Sequence, residues 1–178
     1  VEVTGQLLGA AQSLEDLVEK SQLIQGEVLK GMFEEVRRQK MAASMAINWC
    51  FNEPWPAAAN CSIVAWPAQP KSGLAAVKDA LRPALASLRI PHFQWQAGDQ
   101  LTFEVWMLND APAPLAGGDV SVWLRMDGQE TRLLEWSFPE LPAASNLQGP
   151  QAQVLLPEAR ARQFELLVQV AGRPELDS

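Results

Sequence analysis

Tyrosine is missing from this chain, and histidine occurs once, at His92. One imidazole puts a histidine-based metal site out of reach. His92 stands in a Pro-His-Phe strand start and reads as a packed side chain, not a catalytic one. Cysteine occurs twice, at Cys50 and Cys61. Two thiols supply neither a disulfide framework nor a zinc spacing, so they read as buried free thiols, with a bridge between them the lesser alternative. No apolar run approaches the roughly 20 residues of a membrane helix. Basic charge is also short: 14 lysines and arginines stand against 21 acidic residues, a net charge of -7. Without a basic stripe to displace counterions from phosphates, nucleic acid is excluded as a partner. Nothing in the sequence implies a cofactor or a metal.

What is present is an ordinary globular composition with an excess of indole: seven tryptophans in 178 residues. Large flat indoles suit stacking on sugar rings, but for Trp106, Trp123 and Trp136 core packing is the better reading. The chain is organised around Met45–Pro56, Met-Ala-Ile-Asn-Trp-Cys-Phe-Asn-Glu-Pro-Trp-Pro. Met45–Phe51 is a short, nearly continuous apolar run and predicts a strand buried on both faces. Pro54 and Pro56 cannot donate to a ladder, so the strand ends before them. Asn52, Glu53 and Trp55 then fall just past its carboxyl end.

Ahead of this strand, residues 1–12 have no period and read as an irregular tail. Ser13-Leu-Glu-Asp16 is a capping-box pattern that opens a helix. Leu14, Leu17, Val18, Ile24, Val28, Met32 and Val36 form its apolar stripe. Gly26 and Gly31 weaken the helix and favour close approach of a neighbour. Arg37, Arg38 and Lys40 match the dipole at its end on a solvated face. After the central strand, Ser62–Trp66 reads as a short strand or a return loop. Ser72 caps a second helix over Gly73–Leu81, with Leu74, Val77 and Leu81 inward and Pro83 as the stop.

From Ala84 the period changes to alternation. Leu85–Ile90, Phe93–Gln96, Gln100–Leu108, Val120–Met126, Thr131–Phe138, Gln153–Leu156 and Gln163–Val170 are predicted strands. Ala97-Gly-Asp99 and Asp127-Gly128 are predicted hairpin turns, and 112–118 and 139–150 longer loops. Short alternating strands without helices predict an antiparallel, immunoglobulin-like β-sandwich. The expected fold class is therefore α+β, with a helix–strand–helix region over 1–83 and the sandwich over 84–178.

The first region carries a family resemblance. Ser21-Gln-Leu-Ile-Gln25, Arg37-Arg38, Ile47-Asn-Trp49-Cys-Phe-Asn52-Glu53-Pro-Trp55-Pro56, Ser62-Ile-Val64, Pro70-Lys71 and Ala76-Val-Lys78 stand in order. This resembles the end of the catalytic barrel in glycoside hydrolase family 2, in its β-mannosidase and exo-β-glucosaminidase branch. There a Trp-Gln-Leu-Asn-Asp-x-Trp-Pro segment precedes Asp-Tyr-Tyr-Gly-Arg-Pro-Lys and a helix with Ala-Val-Lys. The likeness covers about residues 13–83 and needs no gap from Trp49 to Lys78. Glu53 replaces the usual aspartate, Ala65–Gln69 replace Asp-Tyr-Tyr-Gly-Arg, and Leu74-Ala75 replace a tyrosine pair.

The resemblance implies that Met45–Phe51 is the eighth strand of a (β/α)8 barrel, flanked by its seventh and eighth helices, with the sandwich as a following β-domain. It implies a retaining mechanism with two glutamates about 5–5.5 Å apart. Both belong to earlier strands, so this chain would carry no catalytic carboxylate. It would supply a substrate-binding lip, since barrel function collects at strand carboxyl ends. In that lip Trp49 is a wall or platform for the sugar, Asn52 and Glu53 are hydrogen-bonding groups, and Trp55 lines the rim or packs on the eighth helix. The partner is a β-linked carbohydrate. The isolated chain, with an unclosed strand, would self-associate, borrow the sandwich as cover or rearrange. Two other readings stand beside this one. The first is a free-standing carbohydrate-binding or assembly module. The second is a small enzyme pairing Glu53 with Glu27 or Asp79.

Overall fold

The computed structural model describes residues 2–158 and 163–178. The chain forms two compact units, one ending at Arg82 and the next starting at Pro83. Helices and antiparallel sheets are both present, an α+β content.

The first unit is built on helices α1 (Glu2–Leu8), α2 (Leu14–Arg38) and α3 (Ser72–Ala80). Helix α1 replaces the expected irregular tail. Its Thr4 is buried, with Oγ1 3.3 Å from Ser21 Oγ on α2. The cap at Ser13 forms, its hydroxyl accepting from Asp16 N at 3.1 Å. Asp16 Oδ2 reaches back to Gln12 N at 2.7 Å, so the reciprocal half of the box is made one residue early.

The predicted stripe of α2 is rotated. Leu14, Val18 and Val28 are exposed, while Gly26, Leu29, Phe33 and Arg37 are buried. These residues recur at spacings of three and four and face α3. Close approach selects that face: a Cβ on Gly26 would lie 3.7 Å from Ala76 Cβ, and one on Gly73 would lie 3.2 Å from Leu29 Cδ1. Glycine there lets the helices meet over small residues instead of over Val28. Leu29, Phe33, Ile63, Val77 and Ala80 form the core of this unit. On α3, Leu74 is half-buried and Leu81 exposed, so Gly73 and Ala80 take the places expected of leucines. Ser72 does not cap α3. Its hydroxyl donates to Gln22 O at 2.6 Å and ties the two helices together.

The basic cluster is not solvated either. Arg37 is buried and donates to Ala80 O at the end of α3. Arg38 pairs with Glu34 at 3.2 Å and Glu35 at 3.3 Å.

The strand expected over Met45–Phe51 does not form. Met45, Ile47, Trp49 and Phe51 are 72%, 73%, 78% and 64% exposed. A two-faced strand needs ladder partners on both edges. Among the described residues the nearest bridge is parallel and lies one residue past the segment, Asn52 to Val64. A short antiparallel pair of two-residue strands, β1 (Val64–Ala65) and β2 (Gln69–Pro70), follows.

The second unit holds two three-stranded antiparallel sheets. With β3 (Ala84–Arg89), β4 (Gln100–Asn109), β5 (Gly118–Met126), β6 (Gln129–Phe138), β7 (Asn146–Leu155) and β8 (Glu165–Val170), the orders are β3-β4-β7 and β6-β5-β8. Leu101, Phe103, Val105 and Met107, the face that alternation picks out on β4, are fully buried. They share one core with Val120, Val122, Val168 and Val170 of the other sheet. Asp127 and Gly128 both take positive φ, 51° and 73°, which suits a two-residue hairpin between β5 and β6.

Two strand predictions change. Phe93–Gln96 forms no strand, and His92 is exposed, its ring 3.9 Å from that of Trp95. The expected loop at 139–150 is β7 from Asn146 onward. Gly149 and Pro150 read as breakers but sit where the register shifts between Glu104–Gln151 and Trp106–Gln148, a bulge on an edge strand. An edge tolerates the missing proline N–H. Buried Asn109 donates to Ala113 O at 3.1 Å and Pro142 O at 2.9 Å, fixing two loops at one end of the sheets.

Candidate functional site

The turn after the central segment is held by one buried polar cluster. Glu53 is 5% exposed. Its Oε1 accepts from Lys71 Nζ at 2.6 Å and from Ser62 Oγ at 3.2 Å. Its Oε2 accepts from Trp66 N at 3.2 Å. Lys71 spends its remaining donors on Ser62 Oγ at 3.1 Å and Asn60 O at 3.3 Å. All three ammonium hydrogens thus have acceptors inside the turn. The Lys71 bond, then the Trp66 amide, hold the Glu53 carboxyl below its ordinary pKa, against the opposite pull of burial.

This cluster binds the segment 49–53 to the stretch 60–71. Backbone bonds add to it: Ile63 N and Val64 N donate to Phe51 O at 3.2 and 3.0 Å, and Glu53 N donates to Val64 O at 3.0 Å. From the helix side, Gln25 Nε2 donates to Cys61 O at 3.0 Å and Ser62 O at 3.2 Å.

The four predicted site residues therefore divide. Glu53 points inward with both oxygens engaged, so in this structure it shapes the turn. Asn52 is exposed, its amide donating to Glu53 O at 3.4 Å. Trp49 and Trp55 are 78% and 68% exposed, so Trp55 does not pack on α3 as the burial reading had it. Sequence reasoning missed Lys71 as the partner of Glu53. The available signal was a lone cation in the otherwise uncharged stretch 54–77.

Glu27 and Asp79 are exposed on their helices, while Glu53 is salt-bridged and buried. Nothing in this arrangement poises Glu53 as an acid, which leaves the small-enzyme reading without support. Cys50 and Cys61, expected to be buried, are exposed free thiols. Among the described residues no three His, Cys, Asp or Glu side chains gather to hold a metal ion. Nor is any described helix long and apolar enough to cross a membrane. A groove of about 670 Å³ runs beside α1 and the start of α2, past Gly5, Ala10, Gln12 and Leu14, and contains none of the four predicted residues.

No protein-family model and no curated protein matches the chain. Solved structures do. A β-D-mannosidase from Dictyoglomus thermophilum matches 98% of this chain with a TM-score of 0.72 at 20% identity. An exo-chitosanase from Amycolatopsis orientalis, solved with PNP-β-D-glucosamine, matches 99% of it with a TM-score of 0.67 at 19% identity. The same enzyme in another structure gives 0.62 at 20% identity over 96% of the chain. The fold is that of one part of larger glycoside hydrolases. The chain spans 20% of the length of each of these three.

Proposed function

We propose that this chain is the C-terminal part of a retaining exo-β-glycosidase of glycoside hydrolase family 2. In this reading residues 13–83 complete a (β/α)8 barrel, Met45–Phe51, not a strand in this chain by itself, becomes its eighth strand when the preceding strands pair with it, and the second unit is an immunoglobulin-like accessory domain. The observation that carries the reading is the match of nearly the whole chain to one fifth of a β-mannosidase, joined to the Trp49–Pro56 motif. The exposed apolar segment supports it as well. Four large side chains at 64–78% exposure are what a barrel strand leaves when its neighbours lie elsewhere in the polypeptide.

The chemistry divides accordingly. The two carboxylates of a retaining mechanism come from the rest of the enzyme. This chain supplies the lip: Trp49 offers a flat apolar face to a pyranose ring, Asn52 a hydrogen-bonding amide, and Trp55 a rim. Glu53 acts from behind by holding the turn that presents Asn52. The substrate is a β-linked glycoside, with mannoside and glucosaminide first in line.

The test uses the native gene product, captured from source cells with an antibody against this chain. The expected result is a polypeptide several times the 19.5 kDa of this chain that turns over an aryl β-mannoside or β-glucosaminide. The 178-residue chain alone is expected to be inactive. A native product of this chain's own size, binding a glycan without turnover, would replace the proposal with the carbohydrate-binding module.

A further inference from the structure

The two exposed cysteines lie side by side. Residues 49–53 and 61–64 run parallel, with Asn52 opposite Val64. Cys50 and Cys61 stand just ahead of this bridge, two and three residues before Asn52 and Val64. Neighbouring extended stretches lie about 4.8 Å apart. A disulfide accepts Cα separations of roughly 4.4–6.8 Å. Cys61 Sγ donates to Trp49 O, the carbonyl bonded to the Cys50 nitrogen, at 3.3 Å. Cys50 has a φ of 65°, which turns its side chain out of the regular strand direction. Burial, and then the neighbouring Cys61, push the Cys50 thiol pKa up. Both backbones are tethered, Cys61 O by Gln25 and Cys50 O by the Asn48 amide at 3.4 Å.

We infer that Cys50 and Cys61 form a thiol–disulfide exchange site that closes to an intramolecular bridge with a low-molecular-weight disulfide. One thiol loses its proton, attacks the small disulfide and displaces one thiolate, leaving a mixed disulfide on the protein. The second thiol loses its proton and attacks the protein sulfur of that mixed disulfide, displacing the other thiolate. Two protein thiols are oxidised by two electrons to one disulfide. The small disulfide is reduced to two thiols, which carry off the two protons. The closed bridge would pin Trp49 and Asn52 to the stretch that Gln25 holds against α2. This inference goes beyond the glycosidase reading and concerns the 178-residue chain, in which both thiols are exposed.

The experiment incubates the folded chain with oxidised glutathione, quenches with acid, and reads intact mass and alkylation by iodoacetamide. The expected product is a monomer lighter by two hydrogens, with neither cysteine alkylated and a peptide map joining Cys50 to Cys61. Cys50→Ser and Cys61→Ser should each stop at one glutathione adduct. Four results would overturn the inference: unreacted thiols, a stable doubly glutathionylated chain, disulfide-linked dimers, or closure no faster in the folded chain than in denaturant.

Discussion

Glu53 accepts from a lysine, a serine hydroxyl and a backbone amide at once, and its carboxyl titrates below the ordinary glutamate value as a result. The folded pKa lies below the unfolded one of about 4.3. The ionised carboxylate therefore stabilises the native state at every pH above that value, and the contribution is lost as pH falls through the folded pKa. Lys71→Met removes the first cause of the shift and leaves a buried carboxylate short of a partner. We expect urea denaturation to show Lys71→Met clearly less stable than wild type near neutral pH. The gap should close as the pH falls through the lowered Glu53 pKa, where the carboxyl protonates in the wild type as well. A gap independent of pH would mean that Lys71 acts by packing alone. At this scale the sequence marked Glu53 as important but placed it toward the ligand. Its partner lies 18 residues away across a turn whose geometry no local pattern encodes.

Glycines show how far element-level reading carries. Gly31 sits within α2, and a methyl group added there would meet nothing within 4 Å, so only its backbone freedom opposes the helix. Gly31→Ala should raise stability by about 0.5–1 kcal/mol, read as a rise in the thermal midpoint by circular dichroism. Gly149 on β7 is the opposite case: a Cβ there would lie 2.6 Å from the Trp136 ring. Gly149→Ala should cost about 1–3 kcal/mol, because the indole must leave its place against the core. Unchanged stability would show that Trp136 repacks freely. The same contrast explains what was legible. The inner faces of β4, β5 and β8 follow from alternation, because one face of each meets a common core. The first half of β7 did not, because Gly149 and Pro150 break the pattern while an edge bulge accommodates both. The register of α2 was misread because periodicity admits two faces, and the choice rests on Gly26 and Gly73 approaching closely.

At the scale of the whole molecule, the apolar run at 45–51 was legible as chemistry and not as structure. Its composition demands cover, and the described residues provide little: Ala46 packs against the helical core while Met45, Ile47, Trp49 and Phe51 face out. In the proposed enzyme neighbouring barrel strands take these side chains. In the 178-residue chain the available cover is another copy. Burying one isoleucine or phenylalanine stabilises by about 1.5–3 kcal/mol, and each 1.4 kcal/mol is about a tenfold change in affinity. The chain should therefore associate with rising concentration in sedimentation velocity. Ile47→Asp and Phe51→Asp should each weaken that association by about tenfold or more, and the pair should leave a monomer. Neither side chain belongs to a buried core, so the thermal midpoint of the monomer should stay close to that of wild type. A wild-type chain that stays monomeric throughout and binds no apolar dye would mean that the segment finds cover within its own fold. The argument from an uncovered strand to a missing barrel would then fall, leaving the glycosidase reading to rest on the fold match and the Trp49–Pro56 motif.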